Sequence, residues 1–381
     1  MLHIELIGSL ADVPVTDWNG LRGSECPFLR HEFLLALEET GCLSGRSGWQ
    51  PRHLLLRDDP GQLLGAMPLY QKNNSYGEFV FDFAWADAYR RSGLRYFPKL
   101  VSAIPFTPAT SPRLLHRPDQ EPAQIAAALL EGAVELARQT GSSSVHVLFP
   151  TSEENTFLSR AGFLASKDCQ FHWHNRDYAD FDAFLNEFTA EKRKKARRER
   201  RRVAEAGISF VRLTGAEIDS TLWAKLLPLY ASTFWRRGRE PYLTGAFFTR
   251  ISVEMPDAVL AIVALRKGEP VATALCFRSA DTLYGRYWGS EGDYHSLHFE
   301  TCYYQGIEYC IEHGLKVFEP GTQGEHKISR GFVPTETWSA HWLSHPQFAT
   351  AIDHYLNRER AHIDDYIQSV NDHVPYRKGT G

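Results

Sequence analysis

The chain has 381 residues, of which 43% are hydrophobic and 23% charged, and its formal net charge is -4 at pH 7. This length predicts two or three domains with ample apolar side chains to bury. The first residues contain no basic or apolar leader, and no apolar run approaches the ~20 residues that span a bilayer, which argues against secretion and membrane insertion. The six cysteines form no Cys-x-x-Cys pair, so neither a disulfide framework nor a zinc knuckle is expected. We expect a cytoplasmic protein.

The first half of the chain has the pattern of an α/β domain. Its predicted elements are a hairpin (residues 55–57 and 63–66), a strand at Tyr76-Gly77, a helix (125–139) and a strand (145–150). Gly141 suits the left-handed C-terminal cap of that helix. Residues 84–119 form an insertion.

A strongly basic segment follows. Four apolar residues recur there at helical spacing: Phe181, Phe184, Leu185 and Phe188. With Asp180 as N-cap, they predict an amphipathic helix. We expect this helix to continue to Gly207 through residues 192–202, which hold nine Lys or Arg residues and one acid, Glu199. The rest of the chain carries 33 basic and 45 acidic residues, so one basic stripe lies on an otherwise acidic protein.

The second half repeats the order of the first. Its predicted elements are a hairpin (264–266 and 270–274), a strand at Tyr284-Gly285, a helix (299–313) capped by Gly314, and a strand (315–320). The matching order indicates a duplication, with the insertion in the first copy. A C-terminal helix with apolar residues between Ile352 and Val370 is expected to pack on the second domain. The predicted divisions are 1–178 and 208–381 for the domains and 179–207 for a connecting helix.

The insertion alternates aromatic residues, prolines and charges without a period. Such a mixture is unsuited to a regular helix or strand. It favours an ordered loop that lines a pocket, and a hydrophobic cluster beneath a long loop is an equal alternative.

Ionisable side chains crowd a Gly-rich loop after the last strand of the second copy. Because ligands of open α/β sheets bind at the carboxyl ends of strands, we select four candidate catalytic residues: Glu319, His326, Lys327 and Arg330. Transfer of an acyl group to an amine needs a base for the ammonium proton, which a carboxylate or histidine can supply. It also needs a cation for the developing oxyanion, a role that suits Lys327 and Arg330. An ordinary charged surface loop is the alternative.

The density of cations in the basic run predicts an anion-binding surface. RNA, a nucleotide-linked sugar and an acidic lipid all offer suitable phosphates, and a solvated interdomain helix is the alternative. The candidate anion-binding residues are Lys192, Arg193, Lys195, Arg197, Arg198, Arg201 and Arg202.

Metal and covalent chemistry receive little support. His295, His298 and Cys302 lie at helical spacing, but no fourth ligand or second motif accompanies them, so we predict no metal site. The sequence contains no Gly-x-Ser-x-Gly elbow and no cysteine within a strong local signature, so a covalent mechanism is not favoured.

Several motifs resemble those of the FemAB-like proteins of peptidoglycan biosynthesis or recognition. They are GEFVFD (residues 77–82), WADAY (85–89), YFPK (96–99), PFTP (105–108), His326-Lys327 and RGF (330–332). The resemblance covers nearly the whole chain. It implies a tandem GNAT fold, with two acetyltransferase-like α/β domains. The related Fem ligases move amino acids from aminoacyl-tRNA onto peptidoglycan precursors, and their basic helices are thought to meet anionic substrates.

Further candidate residues lie within these motifs and in the second copy. Asp87, in the WADAY motif, is added to the candidate catalytic residues. The candidate substrate-binding residues are Trp85, Tyr89, Tyr96, Lys99, Phe106, Thr107, Arg286, Trp288, His298 and Tyr304.

The donor substrate is inferred from a motif of ordinary GNAT enzymes that this chain lacks. Ordinary GNAT enzymes hold the coenzyme A pyrophosphate with an (Arg/Gln)-x-x-Gly-x-(Gly/Ala) loop at a helix N-terminus, and neither copy contains that pattern. This favours aminoacyl-tRNA over acyl-CoA as the donor. The expected acceptor is an amine on a cell-wall precursor or a small metabolite, with peripheral contact to an anionic lipid-linked precursor as a further expectation. No cofactor is firmly implied. The alternatives are an acyl-CoA-dependent N-acyltransferase and a non-catalytic module that recognises peptidoglycan or nucleic acid.

Overall fold

The computed structural model describes residues 2–43, 45–322 and 324–377. The chain forms two compact units, each built from two chain segments. Unit 1 comprises residues 1–168 and 336–364, and unit 2 comprises residues 169–335 and 365–381. The sequence predicted domains that are each one continuous segment, divided at residues 178 and 207. In the structure, most of the last strand and most of the C-terminal helix belong to unit 1.

Strands and helices alternate in both units, which confirms the predicted α/β class. In the described residues the strands are β1 (His3–Ile7), β2 (Trp49–Pro51), β3 (His53–Arg57), β4 (Leu63–Met67), β5 (Tyr70–Lys72), β6 (Lys99–Ser102), β7 (Leu115–His116), β8 (Ser144–Leu148), β9 (Leu164–His174), β10 (Ile208–Thr214), β11 (Val259–Arg266), β12 (Glu269–Arg278), β13 (Thr282–Ser290), β14 (Val317–Glu319) and β15 (Val333–Leu343).

Helices complete both units. The α-helices are α1 (Val15–Asn19), α2 (His31–Glu39), α3 (Phe83–Arg91), α4 (Pro122–Thr140), α5 (Ser152–Arg160), α6 (Phe181–Asn186), α7 (Ala190–Glu205), α8 (Ser220–Trp235), α9 (Gly245–Glu254), α10 (Leu297–Phe299), α11 (Gln305–Glu312) and α12 (Pro346–Asn371). A π-helical turn, Glu300–Tyr304, joins α10 to α11, and a 3-10 helix, Glu325–Arg330, precedes β15. Shorter 3-10 helices span Leu10–Asp12, Pro27–Leu29, Gly215–Glu217 and Pro256–Ala258. Among the described residues, no helix combines the length and apolar character needed to cross a membrane.

Unit 1 contains two groups of paired strands. One is antiparallel in the order β1-β3-β4-β7, and the other runs β15-β8-β6-β5-β2 with β6 and β8 parallel. Helix α4 packs its apolar face, including Ile125 and Leu129, against buried strand residues such as Leu54 and Val145. The predicted hairpin and helix are confirmed, and Gly141 caps α4 at φ 63°.

Unit 2 is built around the strand order β10-β11-β12-β13-β14-β9. Strands β10 to β13 are antiparallel neighbours, β14 is parallel to β13, and β9 is antiparallel to β14. The predicted second hairpin and the strand at Tyr284-Gly285 are confirmed. Helix α8 approaches β13 at Gly289, where a Cβ atom would lie 1.6 Å from the carbonyl oxygen of Leu229. Only glycine permits this contact.

The continuous basic helix predicted from the sequence is wrong. Helix α6 ends at Asn186 and α7 begins at Ala190, because tertiary contacts bind the residues between them. The Phe188 ring packs edge-on against Tyr376, and the Thr189 amide donates to the Pro375 carbonyl at 2.9 Å. The predicted cap is confirmed, since the Asp180 carboxylate accepts from the backbone amide of residue 183.

The insertion is more regular than predicted, since it contains α3 and β6. Tyr89 on α3 is buried against Phe348 of α12, with ring centroids 3.9 Å apart. Ile352 and Leu356 of α12 belong to the same apolar cluster. The prediction that the C-terminal helix packs on the second domain is therefore wrong up to residue 364, because helical spacing defines an apolar face but not its partner.

The strand predicted at Tyr76-Gly77 is also wrong. These residues form a turn, in which the Tyr76 amide donates to Asn74 Oδ1 at 3.0 Å and Gly77 has φ 79°. The Lys72 ammonium donates to the Tyr76 carbonyl at 2.9 Å. A buried side chain thus satisfies the backbone oxygen that a strand partner would otherwise use.

Candidate active site

The loop between β14 and β15 depends on glycine for its conformation. Gly321, Gly324 and Gly331 have φ values of 94°, 108° and 96°. A Cβ atom at Gly324 would lie 2.1 Å from the His326 ring, and one at Gly331 would lie 2.7 Å from the Phe184 ring. The glycines therefore allow the loop to hold its ionisable side chains close to neighbouring aromatic rings.

Lys327 is the most perturbed side chain of this loop. It is 1% exposed, and its ammonium donates to the Gly321 carbonyl at 2.5 Å. Burial and the nearby Arg286 guanidinium lower the pKa of Lys327 to about 7. Both protonation states of Lys327 are therefore populated near neutral pH. A group whose pKa lies near the working pH is well suited to general acid–base catalysis.

Arg330 is neutralised by Glu199, which was not among the candidate residues selected from the sequence. Its guanidinium forms a bidentate pair with the Glu199 carboxylate, at 3.1 and 2.7 Å, and stacks over the Phe299 ring. The Tyr304 hydroxyl donates to the same carboxylate at 2.6 Å. Arg330 also donates to the His326 carbonyl at 2.5 Å. The structure thus gives Arg330 and Tyr304 positions that support the loop. The signal for Glu199 was its place as the single acid within the basic run.

Glu319 lies at the end of β14 and forms a buried ion pair with Arg286 on β13. The shortest separation is 3.3 Å, between Arg286 Nη2 and Glu319 Oε2. Arg286 also lies over the Tyr284 ring. The pair links neighbouring strands and places a second cation near Lys327, which is one reason for the lowered pKa of that lysine.

Two histidines connect the loop to a cavity. His326 Nε2 lies 2.8 Å from the Tyr303 hydroxyl, and the His326 ring centroid lies 5.8 Å from that of His298. Burial and the adjacent cations lower the pKa of both histidines, to about 4 for His298. Both rings are therefore neutral at neutral pH, so each retains a nitrogen that can accept a proton.

The cavity beside His298 has a volume of about 560 Å³. Its wall includes Trp288, with ring centroid 5.2 Å from that of His298, and the charged residues Arg236, Glu291 and Asp293. The structure thus brings the predicted Trp288, His298 and His326 together. Lys327, Arg286 and Glu319 lie buried in the same unit. Substrate binding and catalysis by these residues stay predictions.

Helix α7 divides its charges between two faces. Ala196, Glu199 and Val203 are buried, and Arg200 pairs with Glu300 and Glu308. A groove of about 380 Å³ on the other face is lined by Ala190, Arg193, Lys194, Arg197, Arg198 and Arg201.

Three of the predicted anion-binding arginines have side-chain partners. Arg197 forms an exposed pair with Asp182, Arg201 pairs with Glu205, and Arg202 contacts His295 at 3.2 Å. Within the described part of the chain, no ion pair involves Lys192, Arg193, Lys194, Lys195 or Arg198. A cationic surface of this kind attracts phosphate groups.

The residues predicted in the first copy separate into two groups. Lys99 and Tyr96 join a buried network, in which the ammonium donates to Glu78 and Asp82 at 2.7 and 2.5 Å and the Tyr96 hydroxyl donates to Asp82 at 2.5 Å. Trp85 lines a cavity nearby. Neither acid was among the candidate residues selected from the sequence, although both lie in the GEFVFD motif.

The other predicted residues of this region lie apart from that network. Asp87 pairs with Arg90 and Arg91 on the exposed side of α3. Tyr89 packs against Phe348. The buried Phe106 and Thr107 form a turn, with the Phe106 ring 6.0 Å from that of Trp49. Their predicted roles in catalysis and substrate binding remain untested.

Solved structures share this architecture at low sequence identity. L-PGS from Bacillus licheniformis is 12% identical, with TM-score 0.52, 88% of this chain and 96% of that chain covered. FemX is 13% identical, with TM-score 0.51, 84% and 94% covered. A conserved protein of unknown function from Bacteroides thetaiotaomicron VPI-5482 is 12% identical, with TM-score 0.50, 90% and 99% covered. These likenesses show the fold, and they confirm the tandem GNAT-like prediction.

The sequence itself identifies the family. No curated protein matches the chain. Residues 9–378 match the FemAB-like family, whose description is peptidoglycan biosynthesis/recognition. The match covers nearly the whole chain, as the motifs indicated, so the chain is classed as an acyltransferase by its family. The chain belongs to the FemAB-like family.

Proposed function

We propose that the chain transfers an aminoacyl group from aminoacyl-tRNA to an amine on a peptidoglycan precursor. The observation that carries this proposal is the groove of α7, lined by five Lys or Arg side chains on the face that does not pack into unit 2. A surface with this many cations gains affinity for a polyanion by releasing counterions, and tRNA is such a donor. A cytoplasmic location and peripheral contact with a lipid-linked precursor belong to the same proposal.

The loop cluster suits the chemistry of this transfer. The amine nitrogen attacks the ester carbonyl of the aminoacyl group, an amide bond forms, and the ester C–O bond breaks to release the tRNA hydroxyl. The neutral His326 ring is the base that takes the proton from the amine and returns it to the leaving oxygen. Protonated Lys327 is the cation that stabilises the developing negative charge.

The test is transfer of a radiolabelled amino acid from charged tRNA to a UDP-linked muropeptide, with the product identified by mass spectrometry. We expect a product heavier by one aminoacyl group, and we expect ribonuclease to abolish its formation. Lys327→Met should remove the activity, while Lys316→Met, at an exposed lysine of the same unit, should retain it.

Two outcomes would contradict the proposal. Transfer that survives ribonuclease, or that requires acyl-CoA instead of charged tRNA, would assign the donor to the coenzyme A class. Binding of the muropeptide without any turnover under either condition would indicate a recognition module.

A further inference from the structure

Three aromatic side chains of unit 1 project into solvent next to one another. Tyr76, Phe81 and Phe83 are 64%, 75% and 46% exposed. The Phe83 ring centroid lies 5.9 Å from that of Tyr76 and 6.1 Å from that of Phe81. Together the three side chains, called here the aromatic patch, expose roughly 300–450 Å² of surface. A contiguous exposed apolar area of this size is often a contact site for a protein or a membrane.

Buried contacts fix the backbone that carries the aromatic patch. The Tyr76 carbonyl accepts from Lys72 Nζ at 2.9 Å. Asp82, which lies between the two phenylalanines in the chain, is buried and accepts from Lys99 Nζ at 2.5 Å. The residues beside the rings are therefore anchored inward while the rings point outward, so the patch is preorganised for a partner.

Helix α3 continues this apolar surface on its outer face. Trp85 and Tyr89 belong to the apolar cluster beneath the helix. Phe83, Ala84 and Ala88 are exposed on the opposite side. The outer face of a surface helix normally carries polar side chains, so apolar residues on both faces of α3 indicate a second contact outside the unit.

Arginines border the aromatic patch on the α3 side. Arg90 and Arg91 end the helix, Arg95 follows it, and all three are exposed. Asp87 is the single acid among residues 83–95 and pairs with Arg90 and Arg91. Three arginines against one aspartate give this segment a net charge of +2. The segment therefore favours an anionic partner.

The opposite side of Phe81 has a different charge balance. Phe81 shares a cavity wall there with Asp168, Glu359 and Lys167, which together carry a net charge of -1. The positive charge is thus confined to the α3 side, and an anionic partner would approach the aromatic patch from that side.

Size and charge select the kind of partner. A stable protein interface buries ~800 Å² on each partner, which is about twice the area of the aromatic patch. A second copy of this chain, joined through the same patch about a two-fold axis, would bring the arginines of both copies together. A lipid bilayer meets neither difficulty. Aromatic rings are stable at its headgroup level, and anionic lipids attract neighbouring arginines.

We propose that the aromatic patch and the arginines of the α3 segment bind the surface of an anionic phospholipid bilayer. The Phe81 and Phe83 rings enter the headgroup region, and Arg91 and Arg95 contact lipid phosphates. The inference rests on the proposed function for its purpose, because a lipid-linked acceptor lies at such a surface. The binding itself is measured without transfer.

The test is co-sedimentation of the full chain with vesicles of equal parts phosphatidylcholine and phosphatidylglycerol, compared with vesicles of phosphatidylcholine alone. We expect tighter binding to the anionic vesicles. Phe81→Ser with Phe83→Ser should weaken that binding about 10–100-fold, because two apolar rings no longer leave water. Arg91→Gln with Arg95→Gln should weaken it about 5–30-fold and leave the affinity for phosphatidylcholine unchanged. Circular dichroism checks that the variants are folded.

Two controls isolate the aromatic patch. Val253→Ser alters an exposed apolar side chain of unit 2 and should leave vesicle binding unchanged. Replacing the four α7 arginines Arg197, Arg198, Arg201 and Arg202 with Gln removes the other cationic surface. In that background, Phe81→Ser with Phe83→Ser should weaken binding by the same factor.

Three results would overturn the inference. They are no binding to anionic vesicles, binding that survives the two phenylalanine substitutions, and lipid-free self-association of the chain that those substitutions abolish. Transfer to a soluble UDP-linked muropeptide separates the two proposals, since the phenylalanine variant should retain it. Vesicle binding without transfer would leave the membrane surface standing, and transfer without vesicle binding would remove this inference alone.

Discussion

Two buried lysines, one in each unit, show how partners decide what the same side chain can do. Lys99 and Lys327 are 0% and 1% exposed. Lys99 donates to two carboxylates and to Ser75, whereas Lys327 donates to a backbone carbonyl and lies near the Arg286 cation. The first ammonium balances buried negative charge and stabilises a network. The second has no such compensation, so its proton is labile near neutral pH.

The largest expected difference between the two lysines is in stability. Lys99→Met leaves Asp82 buried without its cation and leaves Glu78 only the more distant Lys72, at 4.0 Å, so we expect a loss of about 3–5 kcal/mol in the free energy of unfolding. Lys327→Met leaves one carbonyl unsatisfied and should cost about 1–3 kcal/mol at most. Urea denaturation followed by circular dichroism measures both. Equal losses would show that Lys327 has a counter-charge comparable to that of Lys99.

The next expected difference is in pH dependence. The pKa of Lys327 in the folded chain, about 7, lies below its ordinary value of 10.5, so the unfolded chain binds more protons between these two values. Wild-type stability should therefore rise relative to Lys327→Met between pH 7 and 10, by about 1.4 kcal/mol per pH unit at most. Lys72, whose pKa is also about 7, should show the same trend in Lys72→Met.

A pH-independent difference between wild type and Lys327→Met would contradict this account. The same titration should appear in the transfer assay. If protonated Lys327 stabilises the developing oxyanion, the transfer rate should fall as the pH rises through about 7, and Lys327→Arg should move that limb to higher pH.

The smallest expected effect concerns the exposed cations of unit 2, which contrast with its buried ones. Replacing Arg197, Arg198, Arg201 and Arg202 together with Gln should reduce the slope of log affinity for tRNA against log salt by about 3. Arg200→Gln, which breaks pairs with Glu300 and Glu308, should lower stability while changing the slope by less than one. Filter binding at several salt concentrations measures the slope, and an unchanged slope in the fourfold variant would mean that α7 does not bind the polyanion.

The sequence predicted the elements that short-range rules determine. Both hairpins, the Gly141 cap and the Asp180 cap are confirmed, because turn and cap chemistry depends on neighbouring residues. It also predicted the family and the α/β class. The break between α6 and α7 was missed because Thr189 bonds to Pro375, which lies 186 positions later in the chain.

The buried networks were missed for the same physical reason. His146 and His341 are separated by 195 positions, and Glu199 and Arg330 by 131. No local pattern marks either pair. Of the residues selected from the sequence, Lys99 and Tyr96 lie in the unit 1 network, whereas Asp87 lies on an exposed helix face with two arginines. The motifs in the sequence identified the region of the chain that holds these residues. Which side chains contact one another there is known only from the fold.

The position of Glu199 has a practical consequence for mutagenesis. The basic run holds both the solvent-facing cations and the one carboxylate that anchors Arg330, and through Arg330 the His326 carbonyl. A deletion or wholesale replacement of residues 192–202 would therefore disorganise the loop that carries Lys327 as well as remove the positive surface. A loss of activity in such a variant would have two inseparable causes, so point substitutions that spare Glu199 and Arg200 are needed to assign the loss to ligand binding.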